Sequence, residues 1–248
     1  MTTYKKLCEM AQQRANFFCL LDPDNLDKDS AVESAITCAS NGADGLLVGG
    51  SIMLHDKFEE NLKLIKENVK IPVIIFPGIF NFVSPYADAL LLLSVITSRN
   101  PQMLIGEQVR AAPLIYKYNL EAIGTGYMLV ESGNSTSVQY MSDSFPLPHK
   151  KTDLAVAHAL AAKYLGMKLI YMDAGSGAKM PISEHMISEV KKYTELPIII
   201  GGGINTPEIA KKIALSGADF IVTGTALEKS MDPILIRSFA DAVHSVKR

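Results

Sequence analysis

The chain has 248 residues, close to the roughly 250 that one α/β barrel needs, and 48% of them are hydrophobic. With 24 Lys and Arg against 26 Asp and Glu, its net charge of −2 leaves no basic surplus to neutralise a nucleic-acid backbone. No apolar run approaches the roughly 18 to 20 residues of a bilayer span.

Met1 to Lys6 opens an amphipathic helix without the pattern of a signal peptide. Short continuous apolar runs then mark strands buried on both faces. They are Phe17–Leu21, Gly45–Val48, Val73–Phe76, Ala89–Leu93, Ala122–Tyr127, Leu169–Met172, Ile198–Ile200 and Phe220–Val222. Helical spacing separates most of them, at Asp29–Ser40, Lys57–Asn68, Leu154–Leu165, Ser183–Tyr193 and Pro207–Ser216. Strand then helix, eight times, predicts a single (β/α)8 TIM barrel over residues 1–248, with no second domain and no linker.

The joins share a grammar. Asn41-Gly42-Ala43-Asp44 precedes the second strand and Ser216-Gly217-Ala218-Asp219 the eighth, each glycine placed to end a helix in the left-handed region. Pro72 and Pro197 enter strands three and seven, where a missing N–H is tolerated. Glu131 to Lys151, rich in Ser, Gly, Asn and Pro, reads as an irregular loop on the active-site face, and Ser94 to Gly106 lies on that face too. Cys8, Cys19 and Cys38 show no metal or disulfide spacing and read as reduced thiols of a cytoplasmic protein.

Glycines cluster at the ends of the late strands. Gly201-Gly202-Gly203-Ile204-Asn205 ends the seventh and Thr223-Gly224-Thr225-Ala226 the eighth. Phosphate wants several N–H donors at once, glycine lets backbone approach closely, and barrels use these loops for phosphate, aided by a short helix's N-terminus. Tyr171-Met172-Asp173-Ala174-Gly175-Ser176-Gly177-Ala178 adds donors, a hydroxyl and a carboxylate at the same pole. Tyr171 and Asp173 alternate on one strand and so face inward together.

Asp22 ends the first strand and Ser51 follows the second, after Gly49-Gly50. A lone carboxylate and a hydroxyl beside bound phosphates suit Mg²⁺, which takes one or two protein oxygens and fills its other positions with water and phosphate. Asp24 is an alternative helix cap, and an aspartate before proline also starts turns.

Leu21-Asp22-Pro23-Asp24, Val48-Gly49-Gly50-Ser51, Phe76-Pro77-Gly78, Ser94 to Asn100, Gly126-Tyr127, Tyr171 to Ala178, Gly201 to Ile204 and Gly224-Thr225 together resemble the geranylgeranylglyceryl phosphate synthase family, which includes heptaprenylglyceryl phosphate synthases. The resemblance runs through nearly the whole chain. It implies transfer of a long prenyl chain, geranylgeranyl first, from its diphosphate to sn-glycerol 1-phosphate through an ether bond. Mg²⁺ would assist departure of diphosphate, held by Asp22 and Ser51. Tyr171, Met172, Asp173, Ala174, Gly175, Ser176 and Gly177, with Gly202, Gly203, Gly224 and Thr225, would hold glycerol 1-phosphate. Asp173 would bind or deprotonate the acceptor hydroxyl, and Tyr171 would steer donor or acceptor. Two positions depart from the family pattern: Asn25 stands where it usually carries lysine, and Asp173 where it usually carries glutamate. A greasy groove lined by Phe76, Ile79, Phe80, Phe82, Tyr86 and Tyr127 would take the prenyl chain. Transient contact with a membrane surface and a homodimer or larger homo-oligomer are further expectations.

Two other functions fit the phosphate cradle alone. A phosphosugar isomerase or lyase of the same fold needs an acid/base pair or an interior strand lysine, and Lys168 falls just before its strand. A non-catalytic phosphate-binding protein has no use for Asp22.

Overall fold

In a computed structural model, residues 1–22, 28–50, 57–78, 82–228 and 231–248 are described. Eight parallel strands close into a barrel in chain order: β1 (Asn16–Leu21), β2 (Gly45–Val48), β3 (Val73–Ile75), β4 (Ala89–Val95), β5 (Glu121–Leu129), β6 (Leu169–Asp173), β7 (Ile198–Gly201) and β8 (Phe220–Thr223). β8 pairs with β1, Phe18 beside Val222, which completes the ring. All eight expected strands are present; β4, β5 and β6 run further towards the carboxyl pole than their apolar runs suggest.

The floor of the barrel is covered by α1 (Thr3–Gln13), which starts at a Thr2 side-chain cap. The α1 amides of Thr3 and Tyr4 donate to the two carboxylate oxygens of Glu121, and Tyr4 Oη donates to the carbonyl of Lys168 at 3.1 Å. Leu7 and Ala11 bury against the barrel's inner side chains, among them Phe18 and Phe220, whose rings tilt together at 5.2 Å.

Around the barrel lie α2 (Lys28–Ser40), α3 (Phe58–Asn68), α4 (Glu107–Tyr118), α6 (Thr152–Tyr164), α7 (Glu184–Thr194), α8 (Pro207–Leu215) and α10 (Pro233–His244), with the short α5 (Ser137–Ser142) and α9 (Thr225–Glu228) near the carboxyl pole. Ser183, Thr206 and Asp232 cap α7, α8 and α10, and proline occupies the first turn of the latter two. Phe239 of α10 stacks on Phe17 of β1 at 5.8 Å. Gly42 and Gly217 take positive φ at the helix-to-strand joins, as their spacing implies.

Three features add to the sequence reading. No helix follows β3 among the described residues of 76–88. Pro77, Gly78, Ser84 and Pro85 supply too little helix propensity there, and two of them lack an N–H. Glu131 to Lys151 is not wholly irregular, since Thr136 caps α5 within it. Gln102–Gly106, inside the segment placed on the active-site face, winds as a π-helical turn leading into α4.

Candidate active site

The described residues after β3, none of them helical, decide the shape of the site. Leu90 and Leu92 point outward from β4 to where a helix would ordinarily cover them. Instead they wall an apolar cavity with Pro77, Phe82 and Val83 on one side and Met103 and Ala111 on the other. This cavity meets a second one over the carboxyl pole, and Gly50, Phe76, Tyr127 and Val138 line both. Phe76, Phe82 and Tyr127 thus stand where the greasy groove was expected. Tyr86 does not: it is exposed, with Lys63 Nζ 5.5 Å above its ring. Ile79 and Phe80 lie outside the described residues.

The polar cavity gathers most of the expected binding residues. Tyr171 and Asp173 of β6, Gly175, Ser176 and Gly177 after it, Gly202 and Gly203 after β7, and Gly224 and Thr225 after β8 all line it. Gly202 shows why side chains are excluded there. Its φ is +81°, and a Cβ would lie 2.7 Å from the Gly175 amide nitrogen, so glycine alone lets these two loops close up. Ser176 and Thr225 join their hydroxyls at 3.0 Å across the cradle. The short helix at this pole is the single turn α9, which begins at Thr225 itself.

Met172 and Ala174 do not line this cavity. They alternate with Tyr171 and Asp173, so their side chains pack between barrel and helices and not in the cleft. The Ala174 amide is also used already, donating to the Gly201 carbonyl at 3.0 Å.

Asp173 is the charged centre of this cradle. It is 9% exposed, and both oxygens are engaged: the Gly175 amide donates to Oδ1 at 2.7 Å and Tyr127 Oη donates to Oδ2 at 2.6 Å. Burial raises its pKa, and the two hydrogen bonds offset part of that rise. Burial, with the Asp173 charge beside them, pushes the hydroxyls of Tyr127 and Tyr171 well above the usual value. Both therefore remain neutral donors. The rings of Phe76, Tyr127 and Tyr171 form one cluster, with centroids 5.2 to 6.3 Å apart.

Asp22 also lines the polar cavity, facing inward at the end of β1. Its carboxylate packs on Gly50, where a Cβ would lie 2.6 Å from Oδ2. Among the described residues no three His, Cys, Asp or Glu side chains gather into a metal cage. One carboxylate seated beside a phosphate cradle suits Mg²⁺, which asks for few protein oxygens when phosphate supplies the others. Ser51, the other expected ligand, lies outside the described residues, as do Asp24 and Asn25.

Sequence reasoning missed Val138 and gave no role to the hydroxyls of Thr223 and Tyr127. Thr223 lines the cavity with a buried hydroxyl that has no partner among the described residues. Val138 reaches the junction from α5, a helix that the Ser/Gly/Asn-rich composition concealed. Tyr127 was read as groove lining only. Its hydrogen bond to Asp173 follows from strand register, Tyr127 pairing with Tyr171 one layer below the acid, and register is not visible in a single strand. No lysine lines the polar cavity among the described residues, and Lys168 stays at the opposite pole, so an imine-forming aldolase has no nucleophile here.

Comparison with known proteins agrees with this geometry. The chain is 45% identical over 230 residues to the geranylgeranylglyceryl phosphate synthase of Chitinophaga pinensis, covering 93% of this chain and 90% of that one. It is 44% identical over 239 residues to the enzyme of the same name from Methanosphaera stadtmanae, covering 96% and 98%. The crystal structure of (S)-3-O-geranylgeranylglyceryl phosphate synthase from Thermoplasma acidophilum, in complex with sn-glycerol-1-phosphate, superposes with a TM-score of 0.95 at 31% identity, over 99% of this chain and 100% of that one. The PcrB family matches residues 9–243, from within α1 to the end of α10, and the chain belongs to that family.

Proposed function

We propose that this protein is a geranylgeranylglyceryl phosphate synthase, joining a prenyl diphosphate, geranylgeranyl first, to sn-glycerol 1-phosphate. The observation that carries the reading is the two-part cleft: a glycine-lined polar cradle around Asp173 and an apolar cavity beside β4, joined at Gly50, Phe76, Tyr127 and Val138. A phosphosugar isomerase needs the first cavity and has no use for the second.

Tyr171, Gly175, Ser176 and Gly177 with Gly202, Gly203, Gly224 and Thr225 bind the glycerol phosphate and hold it still, which converts a two-body encounter into a question of position. Asp173 meets the acceptor hydroxyl. The hydroxyl oxygen forms a bond to the allylic carbon, the bond from that carbon to diphosphate breaks, and the hydroxyl proton passes to Asp173. The apolar cavity takes the chain and excludes water from the allylic end. Asp22 and Ser51 would hold Mg²⁺, which would supply charge neutralisation for the departing diphosphate. Asp173 reaches about one methylene less than the glutamate usual in the family, and its buried, hydrogen-bonded setting keeps it over the cradle.

A cytoplasmic location with transient contact at a membrane surface belongs to the same proposal. It is supported by the lipid nature of the donor and by the described residues, none of whose helices is long and apolar enough to cross a membrane. A homodimer or larger homo-oligomer is supported by an exposed apolar stripe along the π-helical turn and α4, where Ile105, Val109 and Tyr116 are 59, 63 and 90% exposed.

The test is a transfer assay with labelled sn-glycerol 1-phosphate, Mg²⁺ and, in parallel, C15, C20 and C35 prenyl diphosphates. Labelled ether lipid that disappears with EDTA and in Asp22→Ala supports the reading. Folded protein that makes no ether lipid from any donor overturns it.

A further inference from the structure

The Tyr127 hydroxyl takes no part in the reaction as set out above, yet it stands where the two halves of the cleft meet. A buried tyrosine needs a partner for its hydroxyl, and a backbone carbonyl commonly serves. Here the partner is the cleft's own acid, at 2.6 Å, a length proper to a charge-assisted bond. The two anchors on Asp173 come from different elements. Gly175, in the loop after β6, fixes Oδ1, while Tyr127, on the neighbouring strand β5, fixes Oδ2. Without the second, the carboxylate is free to turn about its Cβ–Cγ bond. The ring of Tyr127 is itself locked, 1% exposed and set edge-on to Tyr171 at 5.5 Å.

We propose that Tyr127 is a positioning residue of the ether-forming step: its hydroxyl holds Asp173 so that the carboxylate presents the acceptor hydroxyl to the junction of cradle and groove. The inference rests on the reading of Asp173 as the group that meets that hydroxyl. It makes the aromatic at the seam a working part of the cleft and not only part of its wall.

The hydrogen bond favours the charged form of Asp173, so its removal raises the acid's proton affinity further. Tyr127 faces Asp173 from β5, Tyr171 from β6 itself and the Gly175 amide from the following loop; Gly201 of β7 offers only backbone. Asp22 of β1 is the other charged side chain among the described residues lining this cavity.

Two measurements on wild type, Tyr127→Phe, Asp173→Asn and the double variant test the proposal. The first follows aspartate ¹³Cγ chemical shifts against pH without substrate, with Asp173→Asn identifying the resonance. In Tyr127→Phe the Asp173 titration moves to higher pH, by about tenfold in proton affinity. A titration unchanged from wild type overturns the proposal. The second is steady-state transfer. Tyr127→Phe lowers kcat about ten- to a hundredfold, with KM for glycerol phosphate changed less than about threefold, and its acidic limb moves to higher pH. The double variant is no slower than Asp173→Asn alone; losses that multiply overturn the proposal. Should Tyr127→Phe not fold, replacing all tyrosines with a fluorinated, more acidic tyrosine keeps the ring and moves the Asp173 titration to lower pH. Because the titration needs no substrate, an inactive wild type sinks the synthase reading while the Tyr127–Asp173 coupling is still decided by the shifts.

Discussion

His244 Nε2 lies 2.7 Å from Oδ2 of Asp44, tying the last helix to the loop that feeds β2. The same carboxylate accepts the Phe17 amide at 2.9 Å and two hydrogen bonds from Arg14. Burial alone would raise the Asp44 pKa. The bonds from His244, Arg14 and Phe17 outweigh it and hold the carboxyl below its usual value. Unfolding restores an ordinary carboxylate near about pH 4, so the unfolded chain binds the proton more readily. The stabilisation is therefore present above about pH 4 and is lost as pH falls through the native value. We expect Asp44→Asn to cost about 2 kcal/mol at pH 7, and its melting temperature to converge on that of wild type as pH falls towards 3. Thermal melts across that range check it; a gap independent of pH would assign the loss to something other than the charge.

Asp173 has the opposite sign. Its pKa is raised, chiefly by burial, so it favours the native state below about pH 4, and that contribution is lost as pH rises through the native value. At neutral pH the charged acid costs stability in exchange for chemistry. Asn keeps an acceptor for the Gly175 amide and a donor for Tyr127. We expect Asp173→Asn to melt a few degrees higher at pH 7.5 and to lose about 10²- to 10⁴-fold in kcat. Paired melts and rates decide it, and a variant both less stable and fully active would remove Asp173 from the mechanism.

Gly50 places the Asp22 carboxylate. Its φ is not in the left-handed region, so alanine there meets no backbone strain; the three atoms nearest the added Cβ all belong to Asp22, with Oδ2 at 2.6 Å. Gly50→Ala therefore shifts one side chain in an otherwise intact cleft. We expect the Mg²⁺ concentration for half-maximal rate to rise roughly tenfold or more, with sn-glycerol 1-phosphate affinity little changed. A rate profile against Mg²⁺ that matches wild type would argue that Asp22 does not hold the ion.

The closed barrel was legible because each strand is a separate apolar run, and runs survive without knowledge of their neighbours. The pole of the site was legible for the same reason: Asp22, Tyr171, Asp173, Gly202 and Gly224 all end strands. What escaped depends on pairing. Tyr127 reaches Asp173 through the β5–β6 register. Asp44 and Asp219 were visible as a repeated Gly-Ala-Asp, yet only their glycines were interpreted. The aspartates do the holding: Asp44, Asp88 and Asp219 accept the amides of Phe17, Val73 and Ile198, and pair with Arg14, Lys66 and Lys191. Strands one, three and seven are thus each pinned to the loop that enters the next strand. The non-helical course of the described residues after β3 escaped because the strand–helix unit was carried across Pro77-Gly78, and the apolar cavity lies beside that stretch.

Ala111 sits on α4 at the wall of the apolar cavity, 5% exposed, and does not line the polar one. A larger side chain there shortens the space for a chain without touching the cradle. Each buried methylene of the donor contributes about 0.8 kcal/mol, so a chain kept from its last few carbons loses affinity steeply while a shorter donor loses little. The substitution also overpacks the α4 interface by about 1 to 3 kcal/mol, which a 248-residue barrel tolerates. We expect Ala111→Leu to lower kcat/KM for the C20 diphosphate about tenfold or more relative to the C15 diphosphate, with glycerol phosphate KM unchanged. Competition between the two donors in one vessel measures that ratio directly. A ratio equal to wild type would place the prenyl chain elsewhere and leave the cavity beside β4 without its occupant.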